Sequence, residues 1–147
     1  MGTVSRFRPH RVNMDGLSKT ETRLMAVALL PGTVVRIATA TDSFTNVGVD
    51  GAVRRYILNC DTIQGLGIDD LVAVGESGVG DYFEEGRAFA AQVVAGSILI
   101  KDTPLYLTAT GTLTTVVDAD SAPVAFADEI FTAPATPATS PAIVRVA

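Results

Sequence analysis

Apolar residues along this chain recur in short alternating or continuous runs that end at small turns. The clearest stretch runs from Gly86 to Val117, GRAFAAQVVAGSILIKDTPLYLTATGTLTTVV. Runs rich in Val, Ile, Leu and Tyr between turns that contain Gly or Pro are typical of strands. Turn signals about eight to twelve residues apart favour a barrel or a sandwich. We therefore expect a mainly β fold, a single compact domain of the β-barrel or jelly-roll type.

The same pattern places the individual strands and loops. Residues 104–108 and 112–117 read as a hairpin, because Gly111 supplies the positive φ that its turn needs. Residues 87–94 are ambiguous, since their alanines permit a helix, and strand is the preferred assignment. Further strands are expected at 33–39, 44–49, 54–58, 71–74 and 142–146, with a tight turn at Asp50-Gly51 and loops at 64–70, 75–81 and 133–141.

One short helix is expected near the start of the chain. Ser18, followed three residues later by Glu21, fits a capping box. An apolar stripe from Leu24 to Ala28 follows, and Pro31-Gly32 ends the pattern. Residues before Ser18 are basic and weakly patterned. The expected organisation is an extended N-terminal arm over residues 1–17 and one β-rich domain over residues 18–147.

Composition limits the size and the setting of the domain. The chain has 147 residues, of which 48% are hydrophobic and 6% aromatic, so one core built mainly from aliphatic side chains is expected. The longest apolar run, residues 24–35, contains Pro31-Gly32 and falls short of the ~20 residues of a membrane-spanning helix. No signal-peptide pattern follows the first arginines. We expect neither a membrane partner nor secretion.

Charge separates the two ends of the chain. Residues 1–36 carry six basic and two acidic side chains, whereas residues 37–147 carry five basic and fourteen acidic ones, which gives the net charge of −5. This asymmetry suggests a basic arm on an acidic body, although a merely solvated N-terminus explains it equally well. The acidic body opposes contact with phosphates, so no nucleic-acid partner is expected. The candidate protein-contact residues are Arg6, Arg8, Arg11, Lys19 and Arg23.

Side chains suited to catalysis are scarce. His10 is the sole histidine and lies in the basic start, and Cys60 is the sole cysteine, so neither a histidine-based triad nor a disulfide is expected. The segment 75–81 has the glycines of a phosphate loop without its Lys-Ser/Thr end. Glu84 and Glu85 are adjacent, so in an extended chain they point to opposite faces and suit a surface acidic patch with Asp81.

Metal binding is equally poorly supported by the sequence. Carboxylates could supply hard oxygen ligands, but their spacing matches no calcium loop. We expect no catalytic, cofactor or metal residues, and no enzyme. The carboxylates considered are Asp61, Asp69, Asp70, Asp118 and Asp120.

Several turn motifs follow one another in an order that resembles the capsid cement or decoration proteins of tailed phages. That family has an Asp-rich GKGID loop, a PGDEF turn, an AAGQNL turn, a GDALVSNGDGTL hairpin and an RIRVEV ending. Lys101-Asp102 stands where the family commonly has Gly-Asp. The matching segments here are Gly65-Leu66-Gly67-Ile68-Asp69-Asp70, Gly80-Asp81-Tyr82-Phe83, Ala95-Gly96-Ser97-Ile98-Leu99, Gly111-Thr112-Leu113 and Ile143-Val144-Arg145-Val146.

The resemblance implies a structural role on the outside of a phage capsid. Such proteins sit at junctions between major capsid proteins, usually as dimers or trimers, and stabilise the shell. The five basic residues named above would then contact the capsid or a neighbouring copy. The alternative is a virion appendage that binds host-surface carbohydrate or a receptor, for which an aromatic platform is expected. The choice between dimer and trimer stays open.

Overall fold

The computed structural model of the chain describes residues 11–16, 18–48, 53–61, 64–117 and 120–147. Within these residues the structure has twelve strands and no helix. The expected mainly β fold class is confirmed, and its jelly-roll version stays a prediction. The strands are β1 (Thr20–Leu24), β2 (Val34–Ala38), β3 (Ser43–Asn46), β4 (Tyr56–Leu58), β5 (Ser77–Tyr82), β6 (Ala88–Val94), β7 (Ile98–Leu99), β8 (Pro104–Leu107), β9 (Leu113–Thr114), β10 (Ala125–Ala127), β11 (Phe131–Thr132) and β12 (Thr139–Val146).

Five strands close into a barrel in the order β10, β12, β6, β9, β8, and β8 pairs with β10 to complete the circle. The longest ladder is antiparallel and joins β6 to β12, from Ala88 opposite Arg145 to Val94 opposite Thr139. Small side chains let the walls of this barrel approach closely around the buried ring of Phe89. The alanines of this core are Ala90, Ala91, Ala125, Ala127, Ala133 and Ala142.

A second group of strands forms a five-stranded antiparallel sheet in the order β1, β5, β4, β2, β3. Its two edges meet where Met25, directly after β1, bridges Phe44 of β3, and the Ala26 N–H donates to the Phe44 carbonyl at 2.9 Å. We call this unit the curled sheet. Its own core is more aromatic than that of the barrel. The residues of this core are Met25, Val35, Phe44, Tyr56, Leu58 and Val72.

Strand β5 corrects the expectation of a loop over residues 75–81. Gly78 and Gly80 lie inside the curled sheet, under the aromatic side chains, rather than in a turn. A Cβ on Gly80 would lie 2.8 Å from Cζ of Phe44 and 3.0 Å from Cβ of Tyr56. A Cβ on Gly78 would lie 2.5 Å from Sδ of Met25 and 3.2 Å from Cδ2 of Phe44. These glycines therefore make room for large side chains within a strand, so the interpretation of the segment as a loop is wrong.

Two other glycines join the curled sheet to the barrel. Gly111 has φ 86°, and its carbonyl accepts the N–H of Val34 at 2.8 Å. We call this junction between the two units the seam. A Cβ on Gly111 would lie 2.0 Å from the Val34 carbonyl oxygen. Gly32, with φ 87°, would place its Cβ 2.5 Å from the carbonyl oxygen of Ala90. Backbone meets backbone at both points, so only glycine fits.

The helix expected after Ser18 is wrong, because residues 20–24 form β1. All five of its residues pair with β5, from Thr20 opposite Asp81 to Leu24 opposite Ser77. Exposed and half-buried side chains alternate along β1, as in an edge strand, with Thr22 exposed and Glu21 half-buried. The ladder to β5 provides the hydrogen bonds that a capping box would have given to a helix, so the tertiary partner decides the local structure.

The other strand predictions fare differently. The preferred strand over 87–94 is confirmed as β6, and the hairpin is confirmed as β8 and β9, with Gly111 in its turn. Residues 71–74 are not a strand, since Val72 makes only an isolated bridge with Leu29. The expected loop 133–141 is interrupted by the start of β12 at Thr139. The turn predicted at Asp50-Gly51 lies outside the described residues.

A short N-terminal segment, residues 11–16, packs along the edge of β6, and we call it the strap. Val12 is fully buried in the barrel core, and its carbonyl accepts the Ala90 N–H at 2.8 Å. The Met14 N–H donates to the Ala88 carbonyl at 2.9 Å. Residues 1–10 lie outside the described part, so the division into an arm over 1–17 and a domain over 18–147 stays a prediction.

Candidate interaction surfaces

The predicted basic contact residues do not form one cluster. Arg6 and Arg8 lie outside the described residues. Arg23 is held by neighbours, with its Nε donating to Asp42 at 2.9 Å and its Nη1 to Glu21 at 3.1 Å, and the bond to Asp42 raises the pKa of its guanidinium. The side chain of Lys19 is exposed, and Arg11 is half-buried beside Asp81. Lys19 is therefore the most exposed of the described residues of the set.

Asp81 is buried rather than part of an exposed acidic patch. It lies on β5, is 2% exposed, and accepts hydrogen bonds from the side chains of Ser18 and Asn59. Burial raises its pKa, while the same two hydrogen bonds and the nearby Arg11 and Arg87 favour the ionised form. Its Oδ1 atom has no hydrogen-bond partner. An ionised, partly unsatisfied carboxylate at this depth is costly to the folded state.

Hydrogen bonds connect Asp81 to the strap. The Asn59 side chain that donates to Asp81 also accepts, through Oδ1, the N–H of Val12 at 3.2 Å. The Asn13 amide donates to the Ser18 hydroxyl at 3.0 Å. Asp81 thus orients the polar side chains that hold the strap against the barrel, which makes it a positioning residue for the N-terminal segment.

The ribbon of β7 and β11 carries an exposed apolar face. Phe131 pairs with Leu99 and Thr132 with Ile98. Ile100 and Ile130 directly adjoin the Leu99–Phe131 pair, and the same register continued by one residue sets them opposite each other. Leu99 is buried against the barrel, whereas Ile98, Ile100 and Ile130 are 69%, 63% and 81% exposed. Because side chains alternate along a strand, these isoleucines share the outer face of the ribbon. We call it the isoleucine face.

A network of charged side chains borders this face. Asp128 accepts from Lys101 Nζ at 2.7 Å and from Arg145 Nη2 at 3.0 Å, and Arg145 lies 3.5 Å from Asp15 of the strap. The bond from Lys101 is the main reason that the pKa of Asp128 is lowered. Lys101, Asp102, Phe126, Asp128 and Arg145 line a shallow groove of about 540 Å³ that continues over the barrel exterior.

A second groove, of about 680 Å³, opens at the other side of β12. Phe83, Leu107 and Val124 form its apolar wall, and Arg55 and Glu85 supply opposite charges. The Nε of Arg55 is buried without a hydrogen-bond partner. Glu84 is bound to Arg87 at 2.8 Å rather than turned to this groove with Glu85. The groove therefore has both polar and apolar walls.

The remaining candidates for chemistry are separated in space or lie outside the described part. His10 and Asp118 belong to the undescribed residues. Among the described ones, no three His, Cys, Asp or Glu side chains are grouped so as to hold a metal ion. Burial raises the pKa of the Cys60 thiol to about 11, which keeps it protonated and a poor nucleophile at neutral pH. No helix in the described part is long and apolar enough to span a membrane.

Sequence reasoning missed both the isoleucine face and the role of Asp81. The spacing Ile98, Ile100 is a signal for one strand face, but the matching position, Ile130, is thirty residues away and only the fold brings it alongside. Asp81 looked like one of three neighbouring acids on a surface. Its burial depends on β1, which the sequence had assigned to a helix.

Solved structures, and not protein families, provide the comparisons for this chain. No protein-family model matches the chain, and no curated protein matches it. The chain is similar to the crystal structure of the head fiber gp8.5 N base of bacteriophage phi29, with 13% identity, a TM-score of 0.49, and coverage of 89% of this chain and 95% of that one. A TM-score below 0.5 does not establish a shared fold, so no property of that protein is transferred.

Proposed function

We propose that this chain is a structural, non-enzymatic protein of a tailed-phage head. It binds the outside of the capsid at junctions between major capsid proteins, associates with copies of itself, and stabilises the shell. The observation that carries the proposal is the ordered series of turn motifs shared with capsid decoration proteins. In support, the motif glycines Gly65, Gly96 and Gly111 all have the positive φ of turn residues.

The architecture is compatible with this role on physical grounds. A protein that clamps a shell requires contact area instead of turnover, and ordinary protein interfaces bury roughly 1,200–2,000 Å² in total. Many copies on one closed shell also add their contacts through multivalency. The barrel and the curled sheet supply a rigid base, and the isoleucine face and the two grooves supply surfaces on which partners can be bound.

The N-terminal segment is the proposed capsid contact, through Arg6, Arg8, Arg11 and Lys19. Arg23 has a smaller share in the proposal, because its guanidinium is bound to Asp42 and Glu21. Residues 1–10 contain two of these arginines and precede the buried Val12. They can be deleted without removing the strap from β6.

The test is the binding of purified protein to capsids that lack it. We expect saturable co-sedimentation at a copy number near that of the major capsid protein, and a higher temperature of DNA release from the decorated particles. Deletion of residues 1–10 should weaken binding at least tenfold, whereas Arg54→Ala, at an exposed basic residue on the acidic body, should leave it within twofold. Full occupancy without residues 1–10 would reject the contact. A copy number far below that of the major capsid protein would reject the decoration role.

A further inference from the structure

We infer that the isoleucine face is the contact between two copies of this chain. The inference rests on the proposed function, because it assigns a surface to the self-association included there. Three isoleucines, each more than 60% exposed, lie on one face of a two-stranded ribbon. The other face carries Leu99, which is buried, and Phe131, which is half-buried. Apolar side chains on both faces are typical of sheets covered on both sides.

The charges around the face favour a second copy as the partner. Two basic side chains, Lys101 and Arg145, line the adjoining groove with three acidic ones, Asp102, Asp128 and Glu85. Over residues 37–147 the chain has five basic and fourteen acidic side chains, so the remainder of that body keeps three against eleven. Two copies repel each other least where their charges come nearest to cancelling, and a surface with both signs side by side can pair with itself about a two-fold axis.

The carboxylate that directly precedes Ile130 is engaged with the barrel. The Oε2 of Glu129 accepts the Ile143 N–H of β12 at 2.8 Å. On the ribbon itself, the residue opposite Ile98 is the uncharged Thr132. Lys101, which follows Ile100, and Asp128, two residues before Ile130, form an ion pair with each other.

The area of the contact must extend beyond the ribbon. A standard interface uses about 20–30 residues on each side, far more than three isoleucines and Thr132. Phe126, on the barrel exterior and 37% exposed, lines the groove that begins at Lys101 and Asp102 and widens the apolar surface. The isoleucines then form the buried centre of the contact, and the charged groove forms its rim.

Sedimentation equilibrium over a concentration series tests the inference. We expect the full-length wild-type chain to self-associate, and Ile130→Lys to raise the dissociation constant at least tenfold. The matched control is Val116→Lys, at a 72% exposed valine that belongs to neither strand of the ribbon, which should stay within twofold. Circular dichroism must show the same melting temperature for both variants, and Ile98→Thr, which keeps a β-branched side chain, replaces Ile130→Lys if that variant unfolds.

A cross-link gives a second measurement. Ile100→Cys should form a disulfide between two copies on mild oxidation, whereas Val116→Cys should not, and the native Cys60 is buried. A wild-type monomer, an unchanged dissociation constant in Ile130→Lys, or equal effects of the two lysine variants would overturn the inference. So would an Ile130→Lys protein that still self-associates but no longer binds capsids, a result that would leave the proposed function standing. Failure of the wild type to bind capsids would reject the proposed function instead.

Discussion

The barrel and the curled sheet solve the same packing problem with different side chains. In the barrel, alanines bring β6 close to its neighbours, and the interior is mainly aliphatic. In the curled sheet, the rings of Phe44 and Tyr56 meet edge-on at 5.9 Å and those of Tyr56 and Tyr82 at 5.1 Å, above glycines in β5. Small residues thus allow close approach of strands in the barrel, and they make room for aromatic side chains in the curled sheet. The two units should therefore respond differently to an added methyl group.

The seam between the units should be the most sensitive position. Gly111→Ala places a methyl group 2.0 Å from the Val34 carbonyl oxygen at a φ of 86°. We expect a loss of roughly 3–5 kcal/mol in the free energy of unfolding, measured by urea denaturation, because backbone must move to relieve the clash. Gly96→Ala, with φ 78° and nothing within 4 Å, is the matched control and should lose only about 1–2 kcal/mol. Equal losses would show that the seam is not tightly packed.

The glycines below the rings should be the next most sensitive. Gly80→Ala should cost about 1–3 kcal/mol through overpacking against Phe44. In a Phe44→Leu background the cost should fall, because leucine has no Cζ atom at 2.8 Å from the new methyl group. Phe89→Leu, in the barrel, should leave the cost of Gly80→Ala unchanged. A coupling to Phe89 as large as that to Phe44 would contradict the independence of the two cores.

Asp81 connects the curled sheet to the strap and gives a pH dependence. Burial raises its pKa in the folded state, so the folded chain binds this proton more tightly than the unfolded chain. Its contribution to stability is therefore present below the unfolded pKa and is lost as the pH rises through the folded pKa. Asp81→Asn should lack this loss in denaturation measured from acid to neutral pH. Glu85→Gln, at an exposed side chain, controls for net charge, and an identical profile in wild type and Asp81→Asn would refute the assignment.

Asp128, on the barrel, should show the opposite dependence at a smaller size. Lys101 and Arg145 lower its pKa, so its contribution to stability is present above the unfolded pKa and is lost as the pH falls through the folded pKa. Lys101 is 65% exposed, and Lys101→Ala should cost at most about 1 kcal/mol at neutral pH. The carboxyl resonance of Asp128, followed by NMR, should titrate at higher pH in that variant. An unchanged titration would mean that Arg145 alone holds the carboxylate.

The pattern of apolar and turn residues was sufficient to predict the β class, the hairpin at Gly111 and the strand at β6. Hydrophobic alternation and turn residues carry that information locally, because strand faces have a period of two and few residues other than glycine adopt a positive φ. It also determined the asymmetry between a basic start and an acidic body, which depends on composition alone.

The grouping of those strands, and the choice of residues that share a surface, depend on contacts between segments that are distant in the chain. Ser18 and Glu21 suit a helix cap locally, but pairing with β5 makes their segment a strand. Gly78 and Gly80 are typical of a loop, but Met25 and Phe44 pack against them within a strand. Asp81 is buried, and Ile130 lies opposite Ile100, through contacts between residues distant in the chain. Such contacts produce no periodic pattern in a single sequence, because the two residues are far apart in the chain and come together only when it folds.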